Sequence, residues 1–402
     1  MKRRFFLQAG AAMGSSAWLA GCGGGGGDGE DVAPGNSYRQ TNLVASSAAY
    51  NPQMVEPELI DGWGIAIRPA GAGGHFWVTG MGNSFEYVGD VNGTPLHQDA
   101  LKIVALPASG ANGGAANGVV FNTGKQFVIT QEHVNGTITA PAKFMFVADN
   151  GVLSAWTERL RSNGSYDRPA VALKMLDQGE DGSAFFGLAI SPAMDMLYVV
   201  DFGANPTPTL RLINGSFQEE ALNGRFTNPF LSGAGFQVGD LVPFNVQTIS
   251  YNGRNSVFIA YVNTSEDPAL PGQLLPAVES SGRGRGRLVE YTPAGELVKI
   301  WDDRGVLNGP WGVAFAPSNF GPFSNQLLVS NFSDGTIVGF DVNSKRATEY
   351  LRDSNGNVAK IPGLWNILFG NGASLGDSNA LYFAAGPEDE TAGLFGSLRH
   401  NG

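Results

Sequence analysis

Cysteine and histidine are scarce in this chain of 402 residues. Cys22 is the one cysteine, and His75, His97, His133 and His400 are the four histidines. A single cysteine excludes an internal disulfide framework and a cysteine-built metal site. No His-Glu-x-x-His pair and no Gly-x-Ser-x-Gly elbow occurs, so the common signals of zinc and serine hydrolases are missing. No Gly-x-Gly-x-x-Gly stands between a strand and a helix, and no long helical pattern is apparent, so neither a nucleotide nor a haem or zinc cofactor is indicated. Charge is also sparse: charged residues are 15% of the chain and the net formal charge is −11. Such a surface repels phosphates on average, which argues against a nucleic-acid partner. Glycine, by contrast, fills 57 positions, a balance suited to many short strands joined by tight turns.

The N-terminus reads as an export signal rather than as part of the fold. Arg3-Arg4-Phe5-Phe6-Leu7 is a twin-arginine start, and a modest apolar stretch runs to Leu19. This stretch is a poor transmembrane span, which needs roughly 20 apolar residues. Leu19-Ala20-Gly21-Cys22 resembles a bacterial lipobox, with cleavage before Cys22 and lipidation of that cysteine. Residues 1–22 are therefore expected to be the signal. Residues 23–37, Gly-rich and acidic, are expected to be a flexible tether, and residues 38–402 one folded domain. The expected location is extracytoplasmic, anchored by lipid, at the outer membrane or facing the periplasm.

Within the domain one phrase recurs six times. It reads Trp63-Gly64-Ile65-Ala66, Asn117-Gly118-Val119-Val120, Phe186-Gly187-Leu188-Ala189, Phe244-Asn245-Val246-Gln247, Trp311-Gly312-Val313-Ala314 and Trp365-Asn366-Ile367-Leu368. The intervals are 54, 69, 58, 67 and 54 residues. Each phrase is followed by a short run rich in aromatic and branched residues, such as His75–Thr79, Met196–Val200 and Gln326–Ser330. Repeats of this size built from short strands predict an all-β, six-bladed β-propeller. From Trp365 to the end is 37 residues and from Tyr38 to Trp63 is 25, which together make one repeat. The spacing thus predicts that a strand at Tyr38 to Ala45 completes the last blade and leaves no open edge. The aromatics are expected to wedge adjacent blades, and the small residue after them to let backbones approach. Asn117 breaks the aromatic rule and is the candidate for facing a polar axis.

Several of these phrases resemble a family of exported bacterial six-repeat propellers. The matching stretches are Asp61 to Ala66, Leu307 to Ala314, Asn319 to Ser324 and Gly363-Leu364-Trp365. The resemblance covers roughly Tyr38 to Leu398, with Asp61-Gly62 standing where the family has Asn-Pro before its first Trp-Gly. It implies the propeller fold and supplies no agreed activity. More distantly the chain is similar to NHL and gluconolactonase-like propellers, which include hydrolases and lyases with an axial cation as well as pure binding proteins.

Candidate chemistry falls in two groups. Glu132-His133 follows a strand and could move a proton, a catalytic pairing. Asp61, Asp149 and Asp201 recur beside strands of different blades as candidate ligands for Ca2+ or Mg2+, and Asn117, Asn308 and Asn331 as ligand-binding amides. The alternative for every Asp and Asn in this set is turn capping. The segment 263–286, running from Glu266-Asp267 to Arg283, Arg285 and Arg287, is a long loop placed to cover a mouth or meet a partner. Two functions stay open: a membrane-anchored propeller that binds a small molecule, glycan or protein, and a divalent-metal hydrolase or lyase of lactonase type acting on an oxygenated small substrate.

Overall fold

Six four-stranded antiparallel blades arise because each repeat alternates apolar runs of strand length with Gly-, Asp- and Asn-bearing turns. The computed structural model describes residues 33–402 except 205, 232–234 and 269–276. The expected signal, Cys22 and the tether as far as residue 32 lie outside the described residues. Among those described, no helix is long and apolar enough to cross a membrane.

Blade 1 runs Ile65–Ala66, Phe76–Thr79, Asn83–Tyr87 and Ile103–Ala105 from the axis outward. Blade 2 runs Ala116–Phe121, Phe144–Ala148, Val152–Trp156 and Leu173–Asp177, with two added hairpins, Val128–Gln131 with Ile138–Pro141 and Arg159–Leu160 with Tyr166–Asp167. Blade 3 comprises Phe185–Ile190, Met196–Asp201, Thr209–Asn214 and Glu219–Glu220. Blade 4 comprises Leu241–Tyr251, Arg254–Glu266, Gly286–Tyr291 and Leu297–Ile300, and blade 5 Pro310–Phe315, Leu327–Asn331, Ile337–Asp341 and Arg346–Tyr350. In the expected loop 263–286, the described ends form strand instead: Ala277–Glu279 pairs with Thr264 to Glu266.

Blade 6 closes the ring as the spacing predicts. Its inner strands are Leu364–Phe369, Ala380–Ala385 and Leu394–His400, and its fourth is the N-terminal strand Tyr38–Ala45, in antiparallel register from Tyr38 opposite His400 to Ala45 opposite Leu394. The folded body begins somewhat earlier than expected. Asn36 donates to Tyr350 O at 2.9 Å, and His400 Nε2 bonds Gly35 O at 2.8 Å, so residues 33–37 are fastened to blades 5 and 6.

A β-bulge marks the recurring phrase. The ladder between first and second strands slips between Phe185 and Leu188, Pro243 and Asn245, Pro310 and Val313, and Leu364 and Ile367, and blade 2 has the same irregularity at Asn117. A bulge re-aims the side chain it carries. The residue after it is small because the next blade is close: a Cβ on Gly187 would lie 2.6 Å from Val246 N, and one on Gly312 2.8 Å from Ile367 N.

Candidate functional site

Four of the bulges throw an aromatic (Phe186, Phe244, Trp311 or Trp365) onto the axis, and Trp63, just before the first strand of blade 1, joins them there. Trp63 stacks on Trp365 with centroids 4.0 Å apart, and Trp311 lies 4.8 Å from both Phe244 and Trp365. Trp63 also reaches Trp311 at 5.3 Å and Phe186 at 5.8 Å, contacts between blades that are not neighbours. These rings close one end of the axis with buried apolar surface.

Beyond that plug the inner strands enclose a cavity of about 470 Å³. One edge of each inner strand pairs within its blade, and the other turns backbone N–H and C=O groups toward the axis. Buried groups of this kind need partners, and side chains of neighbouring blades supply them. Asn117 Nδ2 donates to Phe185 O at 2.7 Å, Asn245 Nδ2 to Trp311 O at 2.9 Å, and Ser330 Oγ to Trp365 O at 2.6 Å. Thr248 Oγ1 donates to Ile190 O at 2.8 Å, and Gln247 Oε1 accepts from Val313 N at 2.5 Å. Two further bonds are long: Gln247 Nε2 to Asn366 Oδ1 and Asn366 Nδ2 to Ile65 O, each 3.4 Å. Gln247, Thr248 and Asn366 are only half-buried, so their amides and hydroxyl meet the cavity. Aliphatic walls come from Ile65, Val119, Leu188 and Ile190.

The lining contains one ionisable residue, Arg68. Its guanidinium is paired with Glu158 at 2.6 Å and lies over the Phe121 ring at 5.4 Å. Among the described residues no carboxylate or imidazole lines the space. Hard divalent cations prefer cages that include carboxylate oxygen. The amide oxygens present do not fit Ca2+ or Mg2+.

The residues singled out from sequence lie in three places. Asn117 lines the cavity. Asp149, Asp201 and Asn331, at or just past the ends of second strands, lie at the plugged end of the axis and perform one repeated task. Asp149 Oδ1 accepts from Ala115 N at 2.7 Å, Asp201 Oδ1 from Ala184 N at 3.0 Å and Asn331 Oδ1 from Asn308 N at 3.0 Å. Each thereby ties down the chain entering its own bulge. Asp201 is also paired with Arg211 at 2.8 Å, and Asn308 accepts from Gly282 N at 2.7 Å. Asp61 Oδ1 accepts from Trp365 Nε1 at 3.0 Å. Among the described residues no group of three or more His, Cys, Asp and Glu is arranged to hold a metal ion.

Glu132 and His133 occupy the turn of the first added hairpin of blade 2. They stand on the face where the cavity opens, because that hairpin joins Phe121 at the end of the inner strand to Phe144. Neither lines the cavity. Glu132 accepts from Thr137 Oγ1 at 3.1 Å, and His133 Nδ1 is 3.7 Å from Asp167 Oδ1. Bonds from Asn135 and Arg159 hold the Asp167 carboxyl below its ordinary range, so this cluster braces the two hairpins together. Asn245, Gln247 and Asn366 stand inside the recurring phrase, where its regularity disguised them as packing positions; Thr248 follows it directly.

No protein-family profile matches this chain. Two uncharacterised proteins of Acanthamoeba polyphaga mimivirus are similar to it, at 26% and 25% identity over 363 residues, spanning 89% of this chain and 79% and 85% of theirs. Among solved structures, the soluble aldose sugar dehydrogenase of Escherichia coli is similar at 14% identity and a TM-score of 0.46, over 91% of this chain and 100% of that one. A gluconolactonase of Xanthomonas campestris is similar at 16% identity and a TM-score of 0.34, over 64% of this chain and 81% of that one. A shared activity does not follow from likeness at this level.

Proposed function

We propose that the chain is an extracytoplasmic, lipid-anchored propeller that binds an uncharged small molecule in its axial cavity. The observation that supports this reading is the chemistry of the lining: half-buried amides and a hydroxyl among aliphatic side chains, with no acid or base positioned to move a proton. Concave sites that combine apolar walls with a few polar groups are the usual form of small-molecule pockets. The plug makes the cavity blind, so a ligand enters and leaves by one mouth. The lipobox resemblance at Cys22 and the likeness to exported bacterial propellers supply the anchoring part of the reading.

Thermal denaturation with a library of neutral, anionic and cationic fragments tests the binding. A ligand at a hundred times its Kd stabilises by about 2.7 kcal/mol, enough to raise Tm measurably. Neutral fragments are expected to raise Tm in the wild type and not in Asn117→Trp, whose side chain fills the cavity floor. Stabilisation by charged fragments alone, or undiminished in Asn117→Trp, contradicts the axial site. An ester or lactone that is consumed rather than held would put a reaction in place of binding. For the anchor, Cys22→Ala is expected to release the protein from washed membranes, and retention would refute lipidation at that residue.

A further inference from the structure

Asn117 is the exception in the repeat, and the exception has a chemical consequence. Its place on the inner strand is the bulge that in blades 3 to 6 turns Trp or Phe onto the axis. Asn117 is 2% exposed and lines the cavity. Its Nδ2 is committed to Phe185 O at 2.7 Å, which fixes the amide's orientation. Its Oδ1 has no hydrogen-bond partner among the described residues. A buried acceptor left unpaired is costly, and native structures rarely retain one without a reason. Phe or Trp at this bulge would have cost no such acceptor and would have extended the plug.

We infer that Asn117 is the specificity-determining residue of the axial cavity, selecting an uncharged ligand that presents a hydroxyl or amide N–H to its Oδ1. This rests on the axial binding reading and adds to it the ligand's chemistry. Gln247 Nε2 and Asn366 Nδ2, held only by 3.4 Å bonds, exchange those bonds for an acceptor on the same ligand. A hydroxyl satisfies both demands, since it donates and accepts. The aliphatic walls at Ile65, Val119, Leu188 and Ile190 take a saturated carbon skeleton. A charged ligand would surrender its hydration to a lining whose one charge, Arg68, is already paired with Glu158.

Three probes of one skeleton separate the possibilities: menthol, which donates and accepts; menthone, which only accepts; and protonated menthylamine. Titration calorimetry on the full chain is expected to show menthol binding about tenfold more tightly than menthone, the loss of one hydrogen bond, with the ammonium weakest. In Asn117→Leu menthol falls to the affinity of menthone. In Asn117→Phe, which restores the repeat's aromatic, none of the three binds while the thermal midpoint is kept or raised. Should Asn117→Leu fail to fold for want of the Phe185 bond, the comparison of menthol with menthone on the wild type still decides the role of Asn117. Equal affinity for menthol and menthone in the wild type, or a preference that survives Asn117→Leu, overturns the role of Asn117 and leaves the axial site standing. Absence of binding by all three overturns the ligand class. The axial reading itself falls only if the wider fragment library also leaves the cavity empty.

Discussion

Glu86 and Glu290 lie on the third strands of blades 1 and 4, both with no exposed surface, and their surroundings are opposite. Burial dominates at Glu86 and pushes its pKa well above the ordinary 4.5, with the Ser84 hydroxyl beside it pulling the other way by less. Burial also pushes Glu290 up, but bonds from Lys345, Tyr251, Ser256 and Trp301 outweigh it and hold that carboxyl below its usual value. The two therefore shift stability with pH in opposite directions. Unfolded Glu86 releases its proton near pH 4.5 while the folded residue keeps it, so its contribution is lost as pH rises above that value. Glu86→Gln is expected to raise Tm at pH 7 relative to the wild type, with the gain fading below about pH 4.5. Glu290→Gln is expected to lower stability by about 1–3 kcal/mol at pH 7, the deficit shrinking in acid as the wild-type carboxyl protonates. Melting curves of both variants across pH check the two signs, and parallel profiles would contradict them.

At the scale of the element, the bulge and the closing strand carry the fold. Gly312 has no room for a side chain, since an added Cβ would sit 2.8 Å from Ile367 N and 2.9 Å from Ser330 Oγ. Gly312→Val is expected to cost about 1–3 kcal/mol in denaturant unfolding by pushing blades 5 and 6 apart. The closing strand is anchored at its start by Tyr38, whose hydroxyl donates to Phe320 O at 2.7 Å and whose ring packs on Phe320 at 4.8 Å. Deleting residues 1–45 strips blade 6 of its fourth strand and exposes the edge of Leu394–His400. That protein is expected to lose its cooperative transition, and an unchanged midpoint would show that closure is dispensable.

For the whole molecule, the ring of six blades and its closing strand were legible in the sequence because both are one-dimensional facts. Repeat spacing counts blades, and the leftover residues at the two ends sum to one more repeat. Where side chains point was not legible. The recurrence of Asp149 and Asp201 suggested donors to an ion and that of Asn331 a ligand-binding amide, whereas each side chain bonds the chain that enters its own bulge. A repeated structural need and a shared ligand leave the same periodic trace. Asn117 could be found because it broke the pattern; Gln247 and Asn366 could not, because they sit where the pattern expects packing. The plug was hidden for a related reason, since Trp63 and Trp311 meet only when the ring is closed. Trp63→Ala is expected to cost about 3–5 kcal/mol and to open the blind end, read as loss of stability together with faster exchange of a bound fragment.

The axial claim is tested most directly by difference density from crystals soaked in menthol. Density is expected within the cavity, its oxygen within hydrogen-bond reach of Asn117 Oδ1 and the amides of Gln247 and Asn366, and none in soaked Asn117→Phe crystals. Density at the plugged end or around Glu132 and His133, with the axial cavity clear, would contradict it.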